Sequence, residues 1–264
     1  MWLAQSLDQL PLWALFIATV MVFLLAVEVG FRVGRYRRSR RQADQKSQVG
    51  SVMAASLALL AFFLAFTFGM AGSRFDKRKK LVLEEANTIG TTYLRAELLP
   101  EPHRTKIRTL LREYVEVRAG AVGGGLERVR EAIARSEELH QLLWSQTVAL
   151  AEKNPTPVPT GLFIQSLNAV IDLHAVRVTE GLYNRIPVSI WVTLYFVAFL
   201  SMSVMGYHAG LTGTRSLTAN LALVFAFSAV MLLITDLERP EQKLFNVSQQ
   251  AMIDLESKLS SPSP

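Results

Sequence analysis

GSVMAASLALLAFFLAFTFGMAGS (50–73) runs directly into RFDKRKKLVLEEANTIGTTYLRAELL (74–99), and the reading of this junction decides the fold. The first stretch carries no charge over 24 residues, and a hydrocarbon layer of ~30 Å is crossed by about 20 apolar residues in a helix. The second stretch is charged, yet Val82, Ala86, Ile89, Tyr93 and Ala96 recur at 4-3-4-3 spacing, which marks one face of a helix. One helix therefore leaves the membrane and continues beyond it. Pro100 and Pro102 end it, since proline lacks the amide proton and restricts the residue before it.

Three further runs have spanning length, at 11–31, 187–207 and 217–235. The first is broken only by Glu28 near its end and is followed by arginines rather than by small residues. It therefore reads as a retained span and not as a cleaved signal. Trp2, Trp13, Tyr36, Trp191 and Tyr207 near the span ends suit an interfacial aromatic belt. Half of the 264 residues are apolar and 19% are charged, a composition unlike that of a soluble enzyme. The fold class is all-α: four transmembrane helices plus an extramembrane helical bundle. The order is a hairpin over 1–73 with a basic loop at 32–49, a helical domain over 74–186, a second hairpin over 187–235 and an amphipathic helix with its tail over 236–264. Gly210 and Gly213 mark the turn of the second hairpin.

Arg35, Arg37, Arg38, Arg40 and Arg41 crowd the first loop. Beside a span such a cluster touches anionic lipid rather than nucleic acid, and short basic loops stay in the cytoplasm. This favours an outside N-terminus in the cell membrane and places 74–186 outside. The second basic block, Arg74 and 77–80, pulls the other way, but it opens a domain too long for charge to control.

Within 74–186, helices are expected at about 104–117, 126–153 and 161–184, separated by Gly123-Gly124-Gly125 and by the proline-rich 154–159. A last helix is expected at 243–259. Chemistry is sparse. The chain has no cysteine, which excludes a disulfide framework and a thiolate site. His103, His140, His174 and His208 fall on different elements without a ligand spacing and read as surface residues; the triple glycine has no Lys-Ser/Thr after it. No enzyme, cofactor or metal site is expected.

Two features rise above this background. Ala54, Ala58, Ala61, Ala65, Gly69 and Gly72 form a small-residue stripe that lets another helix approach, either a span of the same subunit or a second copy. Leu59, Phe62, Phe66 and Met70 lie on another side, as lipid contacts or as an apolar constriction. Glu84, Asn87 and Thr91 share one face of the emerging helix. Ringed about an axis they form the polar vestibule of a pore; on a solvated face, Glu84 and Glu85 pair with Lys80 and Lys77. Past the last span, Asp236, Arg239 and Pro240 read as a structural latch with an i,i+3 ion pair.

SRFDKRKKLVLEEANTIGTTYLRAELLPEPHR (73–104) and DLERPEQKLFNVSQQAMIDLESKL (236–259) resemble the two signature blocks of the bestrophin-like family of bacterial integral membrane proteins. In the second block Lys243 and Ala251 replace a usual glycine and proline. The resemblance implies an oligomeric anion channel whose pore follows the second span, with Phe62, Phe63 and Phe66 as neck candidates, and it places the segment between spans two and three in the cytoplasm. The sequence-based function is thus a homo-oligomeric ion channel, conducting chloride or a cation, with a non-conducting sensor or assembly protein as the alternative.

Overall fold

The computed structural model describes residues 10–38, 43–121, 125–153, 158–214, 216–239 and 247–260. Eight α-helices lie among them: α1 Leu12–Arg37, α2 Ala43–Ala96, α3 His103–Gly120, α4 Gly125–Lys153, α5 Val158–Val178, α6 Val188–Thr212, α7 Leu217–Glu238 and α8 Gln250–Ser260. Helix α2 is continuous over 54 residues and passes through the junction at Ser73 and Arg74 without a break. The chain divides into two compact units, one of 1–73 with 186–239 and the other of 74–185 with 240–264.

In the first unit α1, α6, α7 and the first half of α2 are long and apolar enough to cross a membrane. Their outer faces leave Trp13, Leu25, Phe196 and Phe225 exposed, which hydrocarbon solvates and water does not. Helix α1 lies along α6 and also meets α7. A Cβ built on Gly30 would run into the Ser203 carbonyl, on Gly34 into that of Tyr207, on Gly206 into that of Val27 and on Gly210 into that of Phe31. The two helices therefore cross at backbone contact through Gly30-x3-Gly34 and Gly206-x3-Gly210, and only glycine fits there. Thr19 Oγ1 and Tyr195 Oη, 3.1 Å apart, add a polar tie, and the Ser201 hydroxyl donates to the Ser56 carbonyl at 3.0 Å. Gly210 is thus helical and not part of the turn. The turn is made at Gly213, whose φ of +78° caps α6 in the left-handed region.

The basic loop is shorter than expected, because α1 runs to Arg37 and α2 begins at Ala43. Arginine and lysine are good helix formers, and Arg35 and Arg37 sit in the last turn of α1, where the helix dipole favours cations. Glu28 pairs with Arg32 one turn on, at 2.9 Å.

The second unit closes on Ile89, Tyr93, Ile107, Leu111, Tyr114, Leu139, Leu143, Phe163, Leu167, Val170 and Met252. Each such side chain contributes about 1.5–3 kcal/mol through burial. Helix α3 packs on α4 and α8, and α4 on α5. All five predicted core positions of α2 are buried. On α4 and α5, Leu142 and Leu162 are exposed while their neighbours Leu143 and Phe163 enter the core. Helix α5 starts at Val158 and loosens into a π turn over Thr179–Tyr183, ahead of the expected end. The last helix starts at Gln250, after a non-helical 247–249; residues 243–246 of the expected helix lie outside the described residues. Trp2, Arg40, Arg41, Gly123, Gly124, Pro240 and 154–157 lie outside the described residues.

Candidate functional site: the open face of α2 and a buried ionic centre

Within the first unit α2 has two faces. Leu60, Leu64, Thr67 and Ala71, at 4-3-4 spacing, turn inward and are buried. Ser51, Ala55, Ala58, Phe62, Phe66, Gly69 and Ser73 turn outward and are exposed, with Phe62 at 65% and Phe66 at 61%. Phe63 is half-buried and meets Phe62 edge-on at 6.1 Å, so it backs the open face instead of lining it. Ala54, Ala58, Ala61, Ala65 and Gly69 are exposed, Gly72 is half-buried, and a Cβ on either glycine would meet open space. Of the two partners left open for this stripe, a span of the same subunit does not cover it: the close approach within the subunit belongs to α1 and α6.

In the second unit Glu84, Asn87 and Thr91 are exposed and line one open groove of about 520 Å³. Lys80, Leu83, Thr88 and Arg95 of α2 complete one wall; Gln165, Ser166 and Ala169 of α5 form the other. The Thr88 and Thr91 hydroxyls donate back to the carbonyls of Glu84 and Asn87, at 2.8 and 3.0 Å. The threonines thus cover the helix backbone, and the polarity of the groove comes from Glu84 and Asn87 together with Lys80, Arg95 and Gln165.

Glu85, next in the chain, points the other way and is fully buried. Tyr114 of α3 donates to its Oε1 at 2.8 Å, Arg118 Nε lies 3.2 Å from the same oxygen, and Arg177 of α5 binds Oε2. Arg177 also donates to the Gln249 side-chain oxygen at 3.3 Å. His140 of α4 and His174 of α5 close the cluster with their rings 5.0 Å apart, edge to face, and His174 Nδ1 lies 3.4 Å from the Tyr114 hydroxyl. Burial opposes charge on Glu85, but Arg118 and Arg177 outweigh it and hold the carboxyl below its usual range. Burial, and then the charge of Arg118, pushes both histidines down to about 4. At neutral pH the centre holds one carboxylate, two guanidiniums and two uncharged imidazoles.

This overturns two expectations. His103, His140 and His174 are buried, not superficial, and Glu85 pairs with the two arginines while Lys77 pairs with Glu180 at 2.5 Å. The signal was present in the spacing. Ile107, Leu111, Tyr114 and Arg118 follow 4-3-4, and Leu167, Val170, His174 and Arg177 follow 3-4-3, so both arginines continue the apolar faces of their helices. The Gly-x3-Gly pairs of α1 and α6 were readable in the same way.

The remaining candidates stay apart from these sites. Arg35, Arg37 and Arg38 are exposed at the end of α1. Asp236, Glu238 and Arg239 are buried at the end of α7, where the Arg239 amide donates to the Asp236 carbonyl at 3.2 Å and Glu238 accepts from the Ile186 amide at 2.6 Å.

No curated protein matches the sequence. Crystal structures of a bacterial bestrophin homologue from Klebsiella pneumoniae share the fold. The one phased on zinc is 16% identical, with a TM-score of 0.64 over 94% of this chain and 97% of that one. A single-substitution form of the homologue is also 16% identical, with a TM-score of 0.66 over 92% and 96%. Residues 17–252 match the Bestrophin-like domain. Four apolar helices, a helical unit beyond them and this match over most of the chain lead to one conclusion: the protein is an integral membrane protein of the bestrophin-like family.

Proposed function

We propose that the protein is a homo-oligomeric ion channel whose pore runs along α2. The observation that carries this reading is the uncovered face of that helix. Ser51, Ala55, Ala58, Phe62, Phe66, Gly69, Ser73, Asp76, Lys80, Glu84, Asn87 and Thr91 succeed one another at three- and four-residue steps, and every one is exposed in the protomer. That register is one face of a regular helix. Along it two phenylalanines stand between residues that tolerate water, the pattern of an apolar constriction that gates by dewetting. A subunit with four spans does not enclose an aqueous path alone, so copies must assemble around this face. Ala54, Ala58, Ala61 and Ala65 centre about 90° to one side of Phe62 and Phe66 at 100° per residue, where a neighbouring α2 can approach closely.

Family resemblance favours anions. Asp76 and Glu84 favour cations, and Lys80 on the same register offsets one of them. Ion flux from purified protein in liposomes tests the reading. Flux that rises several-fold in Phe62→Ala or Phe66→Ala supports the neck, and the reversal potential in a potassium chloride gradient assigns the sign of the ion. Folded, oligomeric protein that passes no ion across a range of pH and calcium, and that neither substitution opens, rules the channel out and favours the non-conducting sensor.

A further inference from the structure

The buried ionic centre of the helical unit has no part in lining a pore, yet it is where that unit grips α2. Glu85 bonds from α2 directly to α3, through Tyr114 and Arg118, and to α5, through Arg177; two to three turns on, Arg95 adds a second bond to α5, at the Leu162 carbonyl. Its neighbour Glu84 lines the groove. A change in how Glu85 is held is therefore passed to the groove face by one rigid helix.

The two histidines are placed to unsettle that grip. His140 faces the Tyr114 ring at 4.9 Å and the His174 ring at 5.0 Å. His174 faces the Tyr114 hydroxyl and stands one turn before Arg177 on α5. Arg118 from α3 and Glu85 from α2 act on both rings, and Arg177 from α5 acts on His174 as well, so the centre as a whole holds two cations and one anion before any proton arrives. A proton on either ring adds a third positive charge to a centre with a single carboxylate, where the low local dielectric magnifies the repulsion. His140 Nε2 and His174 Nε2 are buried with no hydrogen-bond partner, so a proton added there finds no acceptor. Released to water, each ring would bind its proton up to about 300-fold more tightly, the ratio between 6.5 and about 4. Acid therefore selects any state in which the rings come out.

We propose that Glu85, Arg118 and Arg177, with His140 and His174, form a proton-sensitive clamp that holds α2 against α3 and α5 while the imidazoles are neutral and lets it go when they are protonated. The clamp belongs to the helical unit and its readout needs no ion flux, so it stands or falls apart from the channel reading; only its consequence, pH control of the groove face, rests on that reading.

The chain has no cysteine, so a single introduced thiol reports on one position. Thr92 is fully buried, seven residues and two turns from Glu85 on the same face; Thr91 is exposed. Thr92→Cys and Thr91→Cys in the full chain are labelled with dithiodipyridine, which reacts with thiols in acid as well as at neutral pH, and the ratio of the two rates cancels the reagent's own pH dependence. The ratio should rise at least tenfold between pH 7.5 and 4.5 with helicity retained, and stay flat when His140→Gln and His174→Gln are added. Glu85→Gln, which weakens the grip and leaves both imidazoles in place, should raise the ratio already at pH 7.5. A flat ratio in the parent with helicity retained overturns the clamp. An equal rise with both histidines replaced overturns their role as its proton sensor.

Discussion

At the scale of single residues, the buried histidines set a direction for stability with pH. Their folded-state values near 4 lie below the ordinary 6.5, so between those limits the unfolded chain binds more protons than the folded one. Stability is therefore highest above about pH 6.5, falls as the pH drops and levels off below about 4, with at most about 3 kcal/mol at stake for each ring. Glu85, held below its usual range, adds a loss in the same direction as its carboxylate is protonated. A melting temperature that falls from pH 7 to pH 5, and falls less steeply in the variant carrying both His→Gln changes, is the expected outcome; an unchanged slope in that variant contradicts it. Arg239 poses a different question. It is 3% exposed beside the buried Asp236 and Glu238, and Arg239→Ala should weaken recovery of the oligomer by size exclusion more than it changes flux per assembled channel.

Among the elements, the pairing of α1 with α6 is the most exacting contact. Gly206→Val puts a branched side chain into the Val27 carbonyl, and the helices must part to admit it. A cost of about 3 kcal/mol or more is expected, at the upper end of overpacking, seen as loss of folded protein in detergent. Gly69→Ala on α2 meets nothing within the protomer and should be neutral to the fold of one subunit. Much of this level was legible in the sequence: four apolar runs named the spanning helices, and Val82, Ala86, Ile89, Tyr93 and Ala96 named the inner face of α2. What was not legible depended on tertiary company. Glu85 sits between exposed Glu84 and core Ala86, and only the arrival of Arg118 and Arg177 from helices distant in sequence makes its burial tolerable. The histidines were misjudged for the same reason, since His140 and His174 are 34 residues apart and no local spacing pairs them.

For the whole molecule, the division into two units follows from the solvents that each must satisfy. The membrane-spanning unit keeps large apolar residues on its surface and uses glycine for close packing; the helical unit closes on a buried apolar core and carries ion pairs such as Lys77 with Glu180. Helix α2 belongs to both and exposes one face throughout. The central claim is that this face lines an ion path, and substituted-cysteine modification tests it most directly. Ser73→Cys in the cysteine-free chain, reconstituted in liposomes, is treated with a positively and a negatively charged methanethiosulfonate. Modification should change flux several-fold, with opposite effects of the two charges on the permeant ion. Complete modification of Ser73→Cys that leaves flux untouched by either reagent would place the ion path elsewhere and contradict the account.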